Sequence, residues 1–189
     1  MAGQTVTDTD VVVVGAGPAG LYQAFQLGLL GLRVEVIDAL HEAGGQCATL
    51  YADKPIYDIP GIPACTGRAL TDSLLAQARP FVDGHLHLGV LMSALTTEPD
   101  GRLRVSTCSP LQPDVEGPVL HCRGLVIATG AGAFLPRSLA VPGLMGLANV
   151  HHDIAVPERW AGQPLVVAGG GDEALLAVAR LLDLPTDQA

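Results

Sequence analysis

The stretch DVVVVGAGPAG, residues 10–20, decides the fold of this chain. Its β-branched run is typical of a buried parallel strand, and a glycine turn follows the strand at once. Residues 21–30 then predict a helix, and RVEVID at 33–38 predicts a second strand. Strand, glycine turn, helix and strand together form a complete βαβ unit, which predicts an α/β protein with a parallel sheet.

The turn itself has the spacing G-x-G-x-x-G, at Gly15, Gly17 and Gly20. In a dinucleotide-binding turn the first glycine permits the bend, the second lets backbone approach a pyrophosphate, and the third lets the helix pack closely on the sheet. The helix N-terminus then directs free N–H groups toward the phosphates. The second strand ends at Asp38, where a carboxylate can accept a hydrogen bond from a ribose hydroxyl. The alternative, an incidental glycine turn in an α/β fold, does not explain the complete unit around it.

Two later motifs extend this interpretation. LVIATG at 125–130 is an apolar strand that runs into Ala-Thr-Gly, a marker of flavoproteins that bind FAD and then a nicotinamide nucleotide. After LVVA comes a second glycine turn of the NAD(P) type, with the small residues Gly169, Gly171 and Ala174.

These motifs predict a Rossmann-like FAD-binding domain over residues 1–131 and a partial NAD(P)-binding domain over 132–189. The first domain combines a parallel sheet with a small antiparallel β-meander, and the second is only the start of another nucleotide-binding unit. Hydrophobic periodicity predicts a helix over 69–82 and a last helix that ends near 182, and it predicts strands over 86–91, 103–108, 119–122 and 165–168.

From about residue 10 to residue 182 the sequence resembles the ferredoxin–NADP reductases of the thioredoxin-reductase-like type. The most diagnostic block is GGQCATLYADKPIYDIPG at 44–61, because general flavoproteins lack it. The other matching segments are GAGPAGLYQAFQLGLLG at 15–31, VIDAL at 36–40, GRALTDSLLAQARPF at 67–81, ATGAGAFLPR at 128–137 and WAGQPLVVAGGGDEAL at 160–175.

The resemblance implies roles for five residues. Asp38 matches the acid that binds the ribose, and Gln46 lies in the turn that contacts the flavin side. Tyr51 matches the tyrosine beside the isoalloxazine, where an aromatic ring favours stacking. Val90 matches the position whose backbone reads the adenine, and Phe134 matches an aromatic near the flavin. The alternatives are that Tyr51 and Phe134 are core aromatics and that Val90 is an ordinary strand residue.

The same resemblance implies an enzyme in which NADPH reduces FAD by hydride transfer and the flavin passes single electrons to a ferredoxin or flavodoxin. The cofactor carries that redox chemistry, so no catalytic side chain is assigned. The four cysteines contain no C-x-x-C pair, which argues against a dithiol reaction and favours direct electron transfer.

The amino-acid composition limits the classes of partner that the protein is expected to bind. A formal net charge of −9 argues against nucleic acid and anionic membranes. No apolar run is long enough to span a bilayer, and the cysteines are expected to be reduced and buried in a cytoplasmic protein. His151 and His152 are expected to be exposed loop residues without a metal, and His85 and His87 strand-surface residues.

The sequence departs from the family mainly in length, since it ends one helix after the second glycine turn. We therefore expect a truncated or split gene product that keeps weak FAD affinity and lacks efficient NADPH turnover. The alternative to an active reductase is a non-catalytic FAD-binding remnant, or half of a split flavoprotein completed by a second chain. Homodimers are usual in the family. The last helix, ALLAVARLL, is apolar on nearly every face. Such a helix is normally buried, but with its sheet missing we expect it to be exposed and to favour association.

Overall fold

A computed structural model describes residues 6–132, 139, 141–144, 147, 149–151 and 157–182. The chain divides into two compact units, Met1–Leu135 and Pro136–Ala189. In chain order the first unit contains β1 (Val6–Asp8), β2 (Val11–Val14), α1 (Pro18–Leu29), β3 (Val34–Asp38), α2 (Gln46–Thr49), β4 (Pro55–Ile56), β5 (Cys65–Thr66), α3 (Gly67–Val82), β6 (Leu86–Leu88), β7 (Leu91–Thr97), β8 (Leu103–Cys108), β9 (Val119–Cys122) and β10 (Gly124–Ile127).

A four-stranded parallel sheet forms the centre of the first unit. Its strand order is β10-β2-β3-β6, so the strand of the first glycine turn lies between the second strand and the Ala-Thr-Gly strand. Because parallel strands all end at one edge, the loops after β2, β3 and β10 meet there. The predicted βαβ unit and the Rossmann-like α/β class are confirmed.

A second sheet, in the order β1-β9-β8-β7, is the predicted antiparallel meander with one addition. β7, β8 and β9 pair antiparallel, while β1 pairs parallel to β9 and was not foreseen. The single strand predicted over 86–91 is wrong. It divides into β6 and the start of β7, which belong to different sheets, because Gly89 between them has a φ of +70° and redirects the chain.

Apolar residues fill both faces of the parallel sheet, which explains the continuous valine run of β2. Val12 and Val13 point to opposite faces and are both fully buried. Val13 packs with Leu21 of α1 and Ala78 of α3, whereas Val12 packs with Ile37 and with residues of the meander. The sheet is therefore a rigid support for the loops at its edge.

A buried carboxylate interrupts the apolar pattern of β3. Glu35 is 4% exposed, and its two oxygens are bound by His85 Nδ1 at 2.8 Å and His87 Nε2 at 2.6 Å. His85 is exposed, as expected, and His87 is only partly exposed, but neither is merely a surface residue, since both bind the same buried carboxylate. Burial alone would raise the pKa of Glu35, but the hydrogen bonds from His87 and His85 outweigh it and lower that pKa below its ordinary value.

Glu35→Gln is expected to destabilise the chain at neutral pH and to matter less in acid. Because the pKa of Glu35 is lower when folded than when unfolded, its contribution is present above the unfolded pKa and is lost as the pH falls through the folded one. The stability difference between variant and parent, measured by urea unfolding at pH 7 and at about pH 4, should therefore shrink in acid. Glu42→Gln, at an exposed pair with Arg68, should change stability by less than about 1 kcal/mol at either pH. An equal loss at both pH values for Glu35→Gln would contradict this account.

The second unit contains a short 3₁₀ helix, Pro157–Trp160, and the helix α4, Asp172–Leu182. His151 packs edge-on against Trp160, with ring centroids 4.5 Å apart, while His152 lies outside the described residues. The strand predicted over 165–168 is wrong, because no neighbouring strand pairs with these residues within the described part of this unit.

The last helix leaves apolar side chains exposed, as its composition predicts. Leu175 is 68% exposed and Leu182 is 78% exposed. In the described part of the chain, no helix combines the length and apolar character needed to cross a membrane. All cysteines are free, and Cys108 and Cys122 are buried as expected, but Cys47 and Cys65 are only partly buried.

Candidate nucleotide-binding site

The first and third glycines of the turn are required by the fold itself. Gly15 has a φ of +110°, and a Cβ there would overlap the carbonyl oxygen of Ala128 in the Ala-Thr-Gly segment. A Cβ on Gly20 would overlap the carbonyl oxygen of Gly15, because the start of α1 packs directly on the turn. Any larger residue at either position would displace backbone, so these two glycines set the shape of the turn.

The middle glycine is different, because the fold leaves room for a side chain there. Gly17 has an extended backbone with a φ of −71°, and a Cβ would lie 4.0 Å from the Cα of Gly45, the nearest atom outside its own stretch of chain. Gly17 and Pro18 are partly exposed and Ala19 is exposed. The start of α1 is therefore accessible, and an accessible helix N-terminus, with its unpaired N–H groups, is an arrangement that can bind phosphate.

Asp38 lies beside this turn, as its position at the end of β3 predicts. Its Oδ2 accepts the N–H of Ala16 at 2.6 Å, and its Oδ1 accepts the N–H of Leu40 at 2.8 Å. A carboxylate has about four lone-pair sites, so two backbone bonds leave acceptor capacity for ribose hydroxyls. The two bonds also fix the side chain in place before any ligand binds.

Val90 lies next to Asp38 along the same edge. Its N–H donates to the carbonyl of Asp38 at 2.8 Å, and the preceding Gly89 N–H donates to the carbonyl of Leu40 at 2.8 Å. The N–H of Val90 is thus already bonded, and a backbone contact to a base would fall to its carbonyl oxygen. Its role toward adenine stays a prediction.

A second glycine pair packs against the first turn. Gly44 donates its N–H to the carbonyl of Ala16 at 2.8 Å, and a Cβ on Gly45 would lie 3.3 Å from the Cα of Gly17. The resemblance singled out only Gln46 in this segment, although the doubled glycine was visible in the sequence. Gln46, the first residue of α2, directly follows Gly45 and therefore lies close to the first turn.

Tyr51 follows α2 and lines an open pocket of about 330 Å³. Tyr51 is 45% exposed, and the Lys54 ammonium lies 5.0 Å from its ring centroid. Cys47 also lines this pocket, and burial, with a smaller contribution from nearby Cys65, raises the pKa of the Cys47 thiol. Tyr51 is therefore not a core aromatic, and its ring is available to stack on a flat ligand. Lys54 was not foreseen as part of this pocket, although LYADK places it three residues from the tyrosine.

The remaining predicted positions fall in the second part of the chain. Gly169, Gly171 and Ala174 precede and begin α4, and the carbonyl of Gly171 accepts the N–H of Ala174 at 3.1 Å. A Cβ on Gly169 would lie 2.9 Å from the Cβ of Ala174, so the turn is closed tightly on its helix. Phe134 lies outside the described residues. No cluster of three or more metal-ligating side chains occurs among the residues that the structure describes.

Comparison with known proteins decides the family. The model of the pyridine nucleotide-disulphide oxidoreductases matches residues 9–181. The chain belongs to this oxidoreductase family.

Within the family, the chain is similar to proteins named ferredoxin–NADP reductase. The protein of Verminephrobacter eiseniae is 46% identical over 93% of this chain, which is 48% of the relative. The protein of Rhodopseudomonas palustris is 44% identical over 92% of this chain and 49% of the relative. The resemblance seen in the sequence is confirmed, and the chain spans about half the length of the curated relatives it matches.

Solved structures support the fold of this family member. Thioredoxin reductase of T. acidophilum has a TM-score of 0.51 at 22% identity and aligns with 72% of this chain and 39% of its own. Cyclohexanone monooxygenase from Rhodococcus sp. Phi1, bound to NADP+, has a TM-score of 0.54 at 22% identity, over 71% of this chain and 28% of its own.

Proposed function

We propose that the first unit binds FAD and that the chain acts in an NADPH-dependent reductase of ferredoxin or flavodoxin. The observation that supports this most directly is the edge formed by the partly exposed glycine turn, the pre-oriented carboxylate of Asp38 and the second glycine pair. One feature argues for a ligand rather than for folding alone. Gly17 is a position where the fold accepts a side chain but a pyrophosphate would not.

The residues fit an FAD molecule along that edge. The amides at the start of α1, beside Gly17, would hold the pyrophosphate, and Asp38 would hold the ribose of the adenosine half. Val90 would lie at the adenine and Gln46 on the flavin side, with the ring of Tyr51 beside the isoalloxazine. Phe134 is proposed as a further aromatic near the flavin on the family match alone.

The protein's part in the reaction is binding and orientation. Bound FAD would supply the exchange between a two-electron hydride donor and one-electron acceptors. Gly169, Gly171 and Ala174 would form the turn that receives NADPH, and the acceptor would be a ferredoxin or flavodoxin. We place this chemistry in the cytoplasm. Neither nucleic acid nor a membrane is proposed as a partner.

A second candidate function is an FAD-binding module that depends on another polypeptide, or on a second copy, for turnover. This candidate is favoured by the exposed apolar surface of α4 and by the segment at 165–168, which pairs with no strand among the residues that the structure describes. Apolar surface of this kind marks association with another chain.

Experiments on the purified 189-residue chain distinguish the two candidate functions. When the apoprotein is titrated with FAD, the flavin fluorescence should be quenched. After gel filtration has removed the excess FAD, the protein should remain yellow. NADPH added without oxygen should then bleach the flavin absorbance if the chain is a reductase by itself. Bound FAD that NADPH does not bleach would support the module, and a chain that binds no FAD would overturn both candidates.

A further inference from the structure

The cluster of Glu35, His85 and His87 lies outside the proposed FAD-binding edge. Strand β3 connects the two, because it carries Glu35 near its start and Asp38 at its end. A buried carboxylate is costly unless hydrogen bonds satisfy it, and an apolar residue would suit the interior of β3 better. Here each carboxylate oxygen receives one imidazole N–H, both from the segment that carries β6. The cluster therefore links β6 to β3 through side-chain hydrogen bonds, in addition to the backbone pairing of the two strands.

β6 needs such a tie because its backbone pairing is short. Only three residue pairs join it to β3, and it is the last strand of the parallel sheet in the order found. Two hydrogen bonds to an ionised group add substantially to so small a ladder, since charge-assisted bonds are roughly twice as strong as neutral ones.

The end of β6 leads straight into the adenosine side of the proposed site. Two residues after Leu88, the Val90 N–H bonds to the carbonyl of Asp38, the residue assigned to the ribose. Gly89 bonds to the carbonyl of Leu40, whose own N–H bonds to the Asp38 carboxylate. Any displacement of β6 along β3 would therefore move the backbone at 89–90 relative to Asp38.

We infer that Glu35, His85 and His87 are positioning residues that hold the backbone at 89–90 against Asp38 and thereby set the affinity for the adenosine half of FAD. The inference rests on the proposed function. No atom of the cluster needs to touch the ligand, so its effect should be confined to the part of the ligand that lies beside β6.

FAD consists of an AMP half and an FMN half, so the two can be tested separately on the full chain. His87→Leu removes one N–H donor and should weaken binding of FAD and of AMP by about tenfold, with FMN changed by less than about twofold. His87→Gln retains an N–H near the position of Nε2, and His85→Asn retains one near the position of Nδ1, so both should bind nearly as the parent does. His121→Leu alters a histidine of the other sheet and should leave all three ligands unaffected.

FAD and FMN affinities are measured by quenching of flavin fluorescence, and that of AMP by competition against FAD. Equal losses for AMP and FMN in His87→Leu would overturn the inference, because they would indicate general destabilisation. Failure of His87→Gln to restore binding would also overturn it. If the parent binds FAD and His87→Leu binds it equally well, only this inference fails; if the parent binds neither FAD nor AMP, the proposed function fails with it.

Discussion

Gly17→Ala should abolish most FAD binding while leaving the chain folded. The backbone at this position is extended, with φ −71° and ψ −178°, and a methyl group would come no closer than 4.0 Å to Gly45, its nearest non-adjacent neighbour. Replacement of glycine at a compatible position raises stability by up to about 1 kcal/mol, because it restricts the unfolded chain. The same methyl group would stand where a pyrophosphate must approach the backbone, so we expect about 100-fold weaker FAD binding, or about 2.8 kcal/mol.

Flavin fluorescence quenching measures the affinity, and urea unfolding followed by circular dichroism measures the stability of the same preparation. Gly124→Ala is the matched control, because a Cβ there meets only Val11 at 3.8 Å, an ordinary contact at the opposite end of the strand. It should bind FAD as the parent does. Undiminished affinity in Gly17→Ala would remove the main support for a pyrophosphate at this turn.

Sequence reasoning pointed to the candidate binding edge because the relevant signals are local. The valine run, the glycine spacing and Asp38 lie within one βαβ unit, and covalent proximity alone brings them to one end of the sheet. The structure adds the two bonds that orient the Asp38 carboxylate, at 2.6 and 2.8 Å, which no pattern specifies.

What the sequence could not reveal depends on long-range pairing. Glu35 appears in VEVID as a polar residue of the kind that usually faces solvent, and its partners His85 and His87 are about fifty residues away. Nothing local indicates that β6 would become its neighbour. The division of 86–91 between two sheets was missed for a related reason, since apolar residues stand on both sides of Gly89 and the sequence does not show that this glycine has a positive φ.

In the second unit, the sequence predicted a strand that the structure does not contain in its described part. LVVA at 165–168 has the composition of a buried strand, but composition cannot supply a neighbouring strand to pair with. Val166 is 95% exposed, so the residue type fits a sheet interior that the described part of this unit does not provide.

Gly20→Ala should have the opposite outcome to Gly17→Ala, although the two glycines are three residues apart in one turn. Helix propensity alone would favour alanine at this position of α1 by about 1 kcal/mol. A Cβ, however, would overlap the backbone carbonyl oxygen of Gly15, and that carbonyl cannot rotate away as a side chain can. The turn would have to open, and Gly15 is itself confined by Ala128 behind it.

Because the sheet and α1 are held on both sides, we expect the steric cost to exceed the propensity gain and to lower the free energy of unfolding by about 3 kcal/mol or more. With urea m-values of about 1–3 kcal/mol/M, the unfolding midpoint should fall by at least about 1 M relative to the parent. Gly17→Ala is the internal control, since the same methyl group is added in the same turn without that overlap. If both variants unfold at the same urea concentration, close packing of α1 on the turn is not what requires the third glycine, and the division between a glycine for folding and a glycine for the ligand would have to be abandoned.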